Sequence, residues 1–205
     1  MGAALHDWNL TPQQAIALQS QLAKQLEADD RIDPVTHIAG VDIGFEEEGS
    51  ITRAAVVVLA WSPEQAPPLT IVEQVVHREP TRMPYIPGLL SFREIPAALG
   101  AFAQLKTRPQ LVMVDGQGIA HPRRLGVAAH LGLWLDLPTI GIAKSRLTGR
   151  HADVGEARGD WVPLMAGQEV IGAVLRSRAQ VKPVFVSPGH RLSLATSLDW
   201  VMRCL

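Results

Sequence analysis

The stretch HIAGVDIGF (37–45) is apolar enough for a buried strand, yet it carries an aspartate, Asp42, near its centre. Ionised carboxylates are almost never fully buried without a partner, so Asp42 either faces solvent or has a counter-ion. Two further strand candidates follow, RAAVVVLAW (53–61) and LTIVEQVVHR (69–78). The connections EEEGSIT and SPEQAPP are short, polar and rich in turn residues, which predicts an antiparallel three-strand meander. The pattern then changes. A helix over roughly 90–106, its start left open by Pro96, leads to the buried strand QLVMVD (110–115). The helix RRLGVAAHLGLWL (123–135) leads to the buried strand PTIGIA (138–143). Two more strands, VIGAVLRS (170–177) and PVFVS (183–187), precede a closing helix, LSLATSLDWVMRC (192–204). A meander joined to βαβ crossovers implies an α/β fold: a mixed sheet, antiparallel then parallel, with helices on both faces.

This topology gives Asp42 a neighbour. The first strand of a meander tends to be central, and the first parallel strand after a crossover pairs with it. Asp115, which ends VMVD, would then stand beside Asp42. Two carboxylates about 4 Å apart repel by roughly 4 kcal/mol at an effective dielectric near 20. A divalent cation removes that conflict, and an all-oxygen ligand set suits Mg²⁺ or Mn²⁺ better than zinc. Ligands in open α/β sheets also bind outside the carboxyl ends of strands, where Asp115 and the following Gly116-Gln117-Gly118 lie. Taken singly, each aspartate reads more readily as a helix cap. Glu94 could add a third carboxylate, although Ser91-Phe92-Arg93-Glu94 also fits a capping box.

RMPYIPGLLSFRE (82–94) places Tyr85 between Pro84 and Pro87, followed by Gly88, and runs into Glu94. The prolines stiffen the segment around one aromatic ring, which either packs on the core or is presented outward. Lys144, just past PTIGIA, could neutralise phosphate charge in a transition state. His190 in SPGHRLS could bind metal or act as acid or base. A snorkelling surface lysine and a helix-start histidine are the plainer alternatives. At the N-terminus, Thr11-Pro12-Gln13-Gln14 fits a helix start with a capping box, and Ile16, Leu18, Leu22 and Leu26 a packing stripe up to Glu27.

Composition narrows the classes. The 205 residues, 47% apolar and 19% charged, fit one soluble domain spanning 1–205. The longest apolar run, AAVVVLAW (54–61), is too short to span a bilayer, and MGAALHDWNL does not resemble a signal peptide. The single Cys204 permits neither an internal disulfide nor a multi-cysteine zinc site. A cytoplasmic location follows by default. The net charge of −1 hides an acidic stretch at 27–49 and basic ones at 121–150 and 176–203, which allows one basic face. GQGIAHPRRLG is not a phosphate-binding P-loop, no G-x-S-x-G elbow is present, and His121 and His130 match no zinc helix motif. His130 reads as a helix surface or core residue.

The segments GVDIGF (40–45), MPYIPGLLSFRE (83–94), VDGQGIAHPRRLG (114–126), GIAKSRL (141–147) and PGHRLS (188–193) resemble, in this order, the endonuclease V family. These are deoxyinosine-directed repair nucleases with a ribonuclease H-like core. The resemblance implies that Asp42, Glu94 and Asp115 hold the metal and that His190 and Lys144 are the active-site histidine and lysine. It implies that Pro84, Tyr85, Ile86 and Pro87 form the wedge at the lesion. Gly88, Leu90 and Gly116 would line the pocket for the flipped base, with His121 beside it. The implied activity is Mg²⁺-dependent cleavage, with Mn²⁺ as substitute, of DNA containing deaminated bases, at the second phosphodiester bond 3′ to hypoxanthine, by a monomer. Two alternatives stand beside it: a ribonuclease H-like nuclease acting on RNA, including inosine-containing RNA, and a non-catalytic nucleic-acid binding module. Gln117 replaces a histidine of many relatives. The chain also stops at Leu205, where many relatives continue, which bears on DNA affinity and not on the metal site.

Overall fold

The computed structural model describes residues 4–65 and 68–205; Met1–Ala3, within the segment read for a leader, and Ala66–Pro67 of the second meander connection lie outside the described residues. The meander forms as expected from β1 (His37–Glu46), β2 (Ile51–Trp61) and β3 (Leu69–Pro80). All eight strands join one sheet, in the order β3-β2-β1-β4-β5-β8-β7-β6. β4 (Leu111–Asp115) lies parallel to β1, and β5 (Thr139–Ala143) parallel to β4. β8 (Val184–Pro188) runs antiparallel to β5, and β7 (Glu169–Leu175) antiparallel to β8. Strand β6 (Trp161–Ala166) was hidden in the sequence by Pro163. It closes the sheet at the edge, where a missing ladder donor costs least.

Two helices cover one face. α2 (Leu90–Phe102) and α3 (Val127–Leu135) bury Ile95, Ala98, Ala101, Ala128 and Leu131 against Ala39, Val41, Val56 and Val112 of the strands. The opposite face, with Ile38, Leu111, Ile140 and Val186, receives α4 (Leu194–Arg203) through Leu198, Trp200 and Val201. Pro96 sits inside α2 and not at its start. α3 is shorter than its apolar pattern, because Arg124 has φ 59° and Gly126 is extended, so residues 123–126 turn before the helix begins.

α1 (Pro12–Leu22) starts with the expected Thr11 capping box and then passes into a short 3₁₀ turn, Ala23–Gln25. The expected stripe packs in part, with Leu22 buried and Leu18 and Leu26 half-buried against the core, but the buried face extends to other positions. Ala15, Gln19 and Leu22 are buried, whereas Ile16 is exposed. A polar residue therefore points inward at the centre of the helix. Among the described residues no helix is long and apolar enough to cross a membrane.

Candidate active site

Backbone register settles where the two aspartates lie. Val41 of β1 pairs with Val114 of parallel β4, so Asp42 and Asp115 are the next pair along adjacent strands. Both are solvent-exposed at the carboxyl end of the sheet. The expectation from topology holds.

Glu94 comes from the other side, on the second turn of α2, and is only 6% exposed. Its carboxyl pKa is pushed up to about 8, first by burial and then by the charge of Asp115, with Asp42 adding to it and Arg93 opposing. The three carboxyls are thus close enough for their charges to conflict. Ser91 and Glu94 do not form a capping box. Leu89 is the N-cap with no side-chain bond, and the Ser91 hydroxyl lies 3.0 Å from His130 Nδ1. His130 is fully buried, a core histidine.

Lys144 follows β5, one strand from β4, and its Nζ donates to Asp115 Oδ2 at 2.5 Å while the side chain remains 83% exposed. That bond, with the charges of Asp115 and Asp42, raises the lysine pKa. Lys144 partly offsets the carboxylate charge, and Arg146 and Arg150 beyond it have no carboxylate partner among the described residues. In the downstream basic stretch Arg191 pairs with Asp136 and Glu27, and Arg203 with Asp199, whereas Arg176, Arg178 and Lys182 have no carboxylate partner among the described residues.

The proline-flanked loop is presented outward. Tyr85 is 68% exposed, and Pro84 and Pro87 are exposed beside it. The loop is held from beneath by Met83, Leu89 and Phe92, with Ile86 packed against them. The alternative in which Tyr85 packs on the core is excluded. A cleft of about 420 Å³ opens between Tyr85, Gly88, Leu90, Gly116, His121 and Lys144, with Asp115 in its wall. Gly88 has φ +79° and Gly116 φ +156°, so both need glycine on conformational grounds. A Cβ on Gly116 would also stand 2.3 Å from Val127 Cγ1.

His121 is buried in this wall. Its Nδ1 accepts from the Arg123 backbone N–H at 3.1 Å, so the proton resides on Nε2, which donates to Gly88 O at 3.1 Å. Burial, reinforced by Arg123, holds its pKa down to about 4, so the ring is neutral near pH 7.

His190 is not at this site. β8 runs antiparallel to β5, and Pro188 pairs with Ile140, so the segment after β8 emerges beside the amino end of β5. The His190 backbone N–H donates to Thr139 Oγ1, and the Glu27 N–H donates to His190 Nδ1 at 3.2 Å. Its Nε2 faces Asp136 Oδ1 at 3.9 Å. Lys144 and Asp115 stand at the other end of the same strands. His190 therefore ties the segment after α1 to the β8–α4 turn, and burial, then Arg191, lowers its pKa.

Sequence reading also missed residues that shape the site. Gln117 Nε2 donates to Ser145 O at 2.9 Å, tying the glycine loop after β4 to the segment that carries Lys144. Gln19 and Arg123 both reach the Gly88 carbonyl. Arg123 was visible only as part of a basic stretch, and Gln19 lay unremarked within α1.

The three carboxyls offer a hard, all-oxygen donor set whose mutual repulsion a divalent cation would relieve. Among the described residues no three metal-ligating side chains converge on one point, and Lys144 engages Asp115.

Known proteins resemble this chain over nearly its whole length. Endonuclease V of Azotobacter vinelandii is 56% identical over 199 residues, covering 97% of this chain and 88% of that one. The crystal structure of Streptomyces avermitilis endonuclease V superposes with a TM-score of 0.87 at 40% identity, covering 96% of this chain and 85% of that one. A Ciona intestinalis endonuclease V, in complex with a 23mer DNA containing an inosine followed by a ribo-adenosine, gives a TM-score of 0.81 at 25% identity, covering 96% and 90%. These solved structures share the ribonuclease H-like fold of this chain. With residues 20–205 matching the family's sequence profile, the chain belongs to the endonuclease V family.

Proposed function

We propose that this protein is a divalent-metal-dependent repair endonuclease that recognises hypoxanthine in DNA and hydrolyses the second phosphodiester bond on its 3′ side. The observation that carries this is the shared cleft. One short segment, Pro84–Glu94, supplies an exposed ring at the mouth and a carboxyl beside Asp42 and Asp115. Lesion reading and cleavage are thereby tied together. The complex of the Ciona relative with inosine-containing DNA supports the substrate class.

In this mechanism Tyr85, held out by Pro84 and Pro87 over Ile86, enters the opened base step. The hypoxanthine leaves the stack, at a cost of a few kcal/mol that falls for a mismatched base. The cleft walls at Gly88, Leu90 and Gly116 receive it through main-chain groups. No side chain caps the first turn of α2; the Phe92 amide donates to Leu89 O, which leaves the Leu90 amide to donate to the base carbonyl. Neutral His121 holds the wall in place. Asp42, Asp115 and Glu94 would hold the cation, which supplies an activated water and a Lewis acid for the phosphoryl oxygens. To bind it, Glu94 must release its proton. Lys144 is close enough to the same carboxylates to balance charge at the attacked phosphate. His190 has no role in the chemistry.

A substrate panel tests the proposal. Matched DNA and RNA strands carrying hypoxanthine, uracil, an abasic site or no lesion are incubated with Mg²⁺, and the nicks mapped. Selective nicking 3′ to hypoxanthine in DNA is the expected result. An RNA arm is included because the Ciona complex places a ribo-adenosine after the inosine. No preference for hypoxanthine would refute the assignment, and binding without nicking in any arm would point to a binding module.

A further inference from the structure

The Gly88 carbonyl accepts from three side chains: Gln19 Nε2 at 2.9 Å, Arg123 Nη2 at 2.9 Å and His121 Nε2 at 3.1 Å. A carbonyl oxygen has two lone pairs, so this acceptor is saturated. Gln19 is the hub. It projects from α1, its residue is fully buried, its Oε1 accepts from Arg123 Nε at 2.5 Å, and its Nε2 also reaches Leu125 O at 3.4 Å. The same helix face seats Ala15 against Met83, Leu89 and Phe92, beneath the wedge.

Packing alone does not explain a glutamine here. A buried amide costs free energy unless every group is satisfied, and a leucine would fill the volume without that cost. What the amide adds is direction. Gly88 is held at φ +79°, immediately after Pro87 and before the first turn of α2. Fixing its peptide fixes both the exit of the Tyr85 loop and the start of the helix that carries Glu94.

We infer that Gln19 is a positioning residue for base recognition: with Arg123 it clamps the Gly88 carbonyl, and so sets where the loop presents Tyr85 and how the cleft wall stands. This inference rests on the cleft being the pocket for the extruded base. The family profile begins at residue 20, so the clamp joins an N-terminal helix partly outside the matched region to the recognition loop.

Two variants test it. Gln19→Glu keeps an acceptor for Arg123 Nε but sets a carboxylate oxygen against Gly88 O. Gln19→Leu keeps the volume and removes every bond. Hydrogen exchange is measured at the amides of Gly88 and Leu89 in protein without substrate, with β1 and β4 amides as reference. Nicking is measured on paired strands carrying hypoxanthine or adenine, and Mn²⁺ binding by calorimetry. In both variants loop exchange should accelerate about ten-fold, and the hypoxanthine-to-adenine ratio of kcat/KM should fall by a similar factor. Exchange in β1 and β4 and Mn²⁺ affinity should stay at wild-type values in Gln19→Glu. Variants that lose thermal stability but keep loop protection and the ratio would reduce Gln19 to a packing residue and overturn the inference. A wild type that nicks both strands equally would instead remove the pocket assignment, a result read without either variant.

Discussion

Glu94 offers the sharpest check on the carboxylate cluster, because its charge state is written into folding stability. The ordinary carboxyl value is 4.5, and in the folded chain it is pushed up to about 8, chiefly by burial and then by Asp115. A carboxyl with a raised folded pKa binds its proton more tightly when folded. Its contribution to stability is therefore fully present below pH 4.5 and is lost as pH rises through 8. Between those limits the folded chain holds one proton that the unfolded chain has released. Stability then falls by about 1.4 kcal/mol per pH unit, reaching about 5 kcal/mol in total. Glu94→Gln removes the titration while keeping the shape. Urea unfolding of both proteins, in chelator and at half-unit steps from pH 5.5 to 8.5, isolates the effect as a difference, since the other titrating groups cancel. The variant should gain on the wild type steadily across that range. Added Mg²⁺ should then restore the wild type most at the alkaline end and leave Glu94→Gln nearly unmoved. Parallel pH profiles for the two proteins in chelator would refute the burial of Glu94 against the carboxylate pair.

Other substitutions separate the roles. Asp42→Asn should lower nicking by about a thousand-fold with hypoxanthine-strand affinity retained, measured by nicking rate and by anisotropy; a wild-type rate in Mg²⁺ would remove Asp42 from the metal site. Tyr85→Ala should cut the preference for hypoxanthine over adenine strands by about ten-fold while leaving Mn²⁺ affinity unchanged, and unchanged discrimination would remove the wedge role. His190→Ala should cost about 2–4 kcal/mol of unfolding free energy, because it empties a buried site and strands the Glu27 N–H. Its nicking rate should remain within about two-fold of wild type below the melting range, and a collapse of rate at native stability would restore His190 to the chemistry.

Much of this site was legible because it depends on neighbours in sequence and on local pattern. Asp42 announced itself as a charge within an apolar strand, and Asp115 as the end of a buried one. Their adjacency needed only the rule that a crossover strand joins the first strand of the meander. The two prolines marked the Tyr85 loop as stiff but left open whether the ring packs inward or faces out, which only the structure settles. Even Glu94 could be placed, because a few residues of α2 separate it from the loop. What pattern could not give was its depth. Whether Glu94 caps a helix or lies buried against two aspartates depends on how α2 packs on the sheet, which no local spacing encodes.

Two errors have a common physical origin: both required knowing a direction and not a type. α1 was recognised from its cap and apolar content, and Leu18, Leu22 and Leu26 of the expected stripe do pack, but Ile16, included for its hydrophobicity, is exposed. The helix buries Ala15, Gln19 and Leu22, a set spaced correctly for one face but containing an amide that any hydropathy count rejects. The glutamine belongs there because its partners, Gly88 O and Arg123 Nε, come from segments far along the chain. His190 failed in the same way. Its strand was found and its place after that strand was found, but not the polarity of β8. Placing ligands beyond the carboxyl ends of strands applies to strands running parallel to one another. β8 runs against β5, so its carboxyl end opens at the edge where Thr139 begins, away from Lys144. A histidine after a β8 parallel to β5 would have faced Asp115. Strand direction, set by the connection through β6 and β7, turns the same residue into a structural tie.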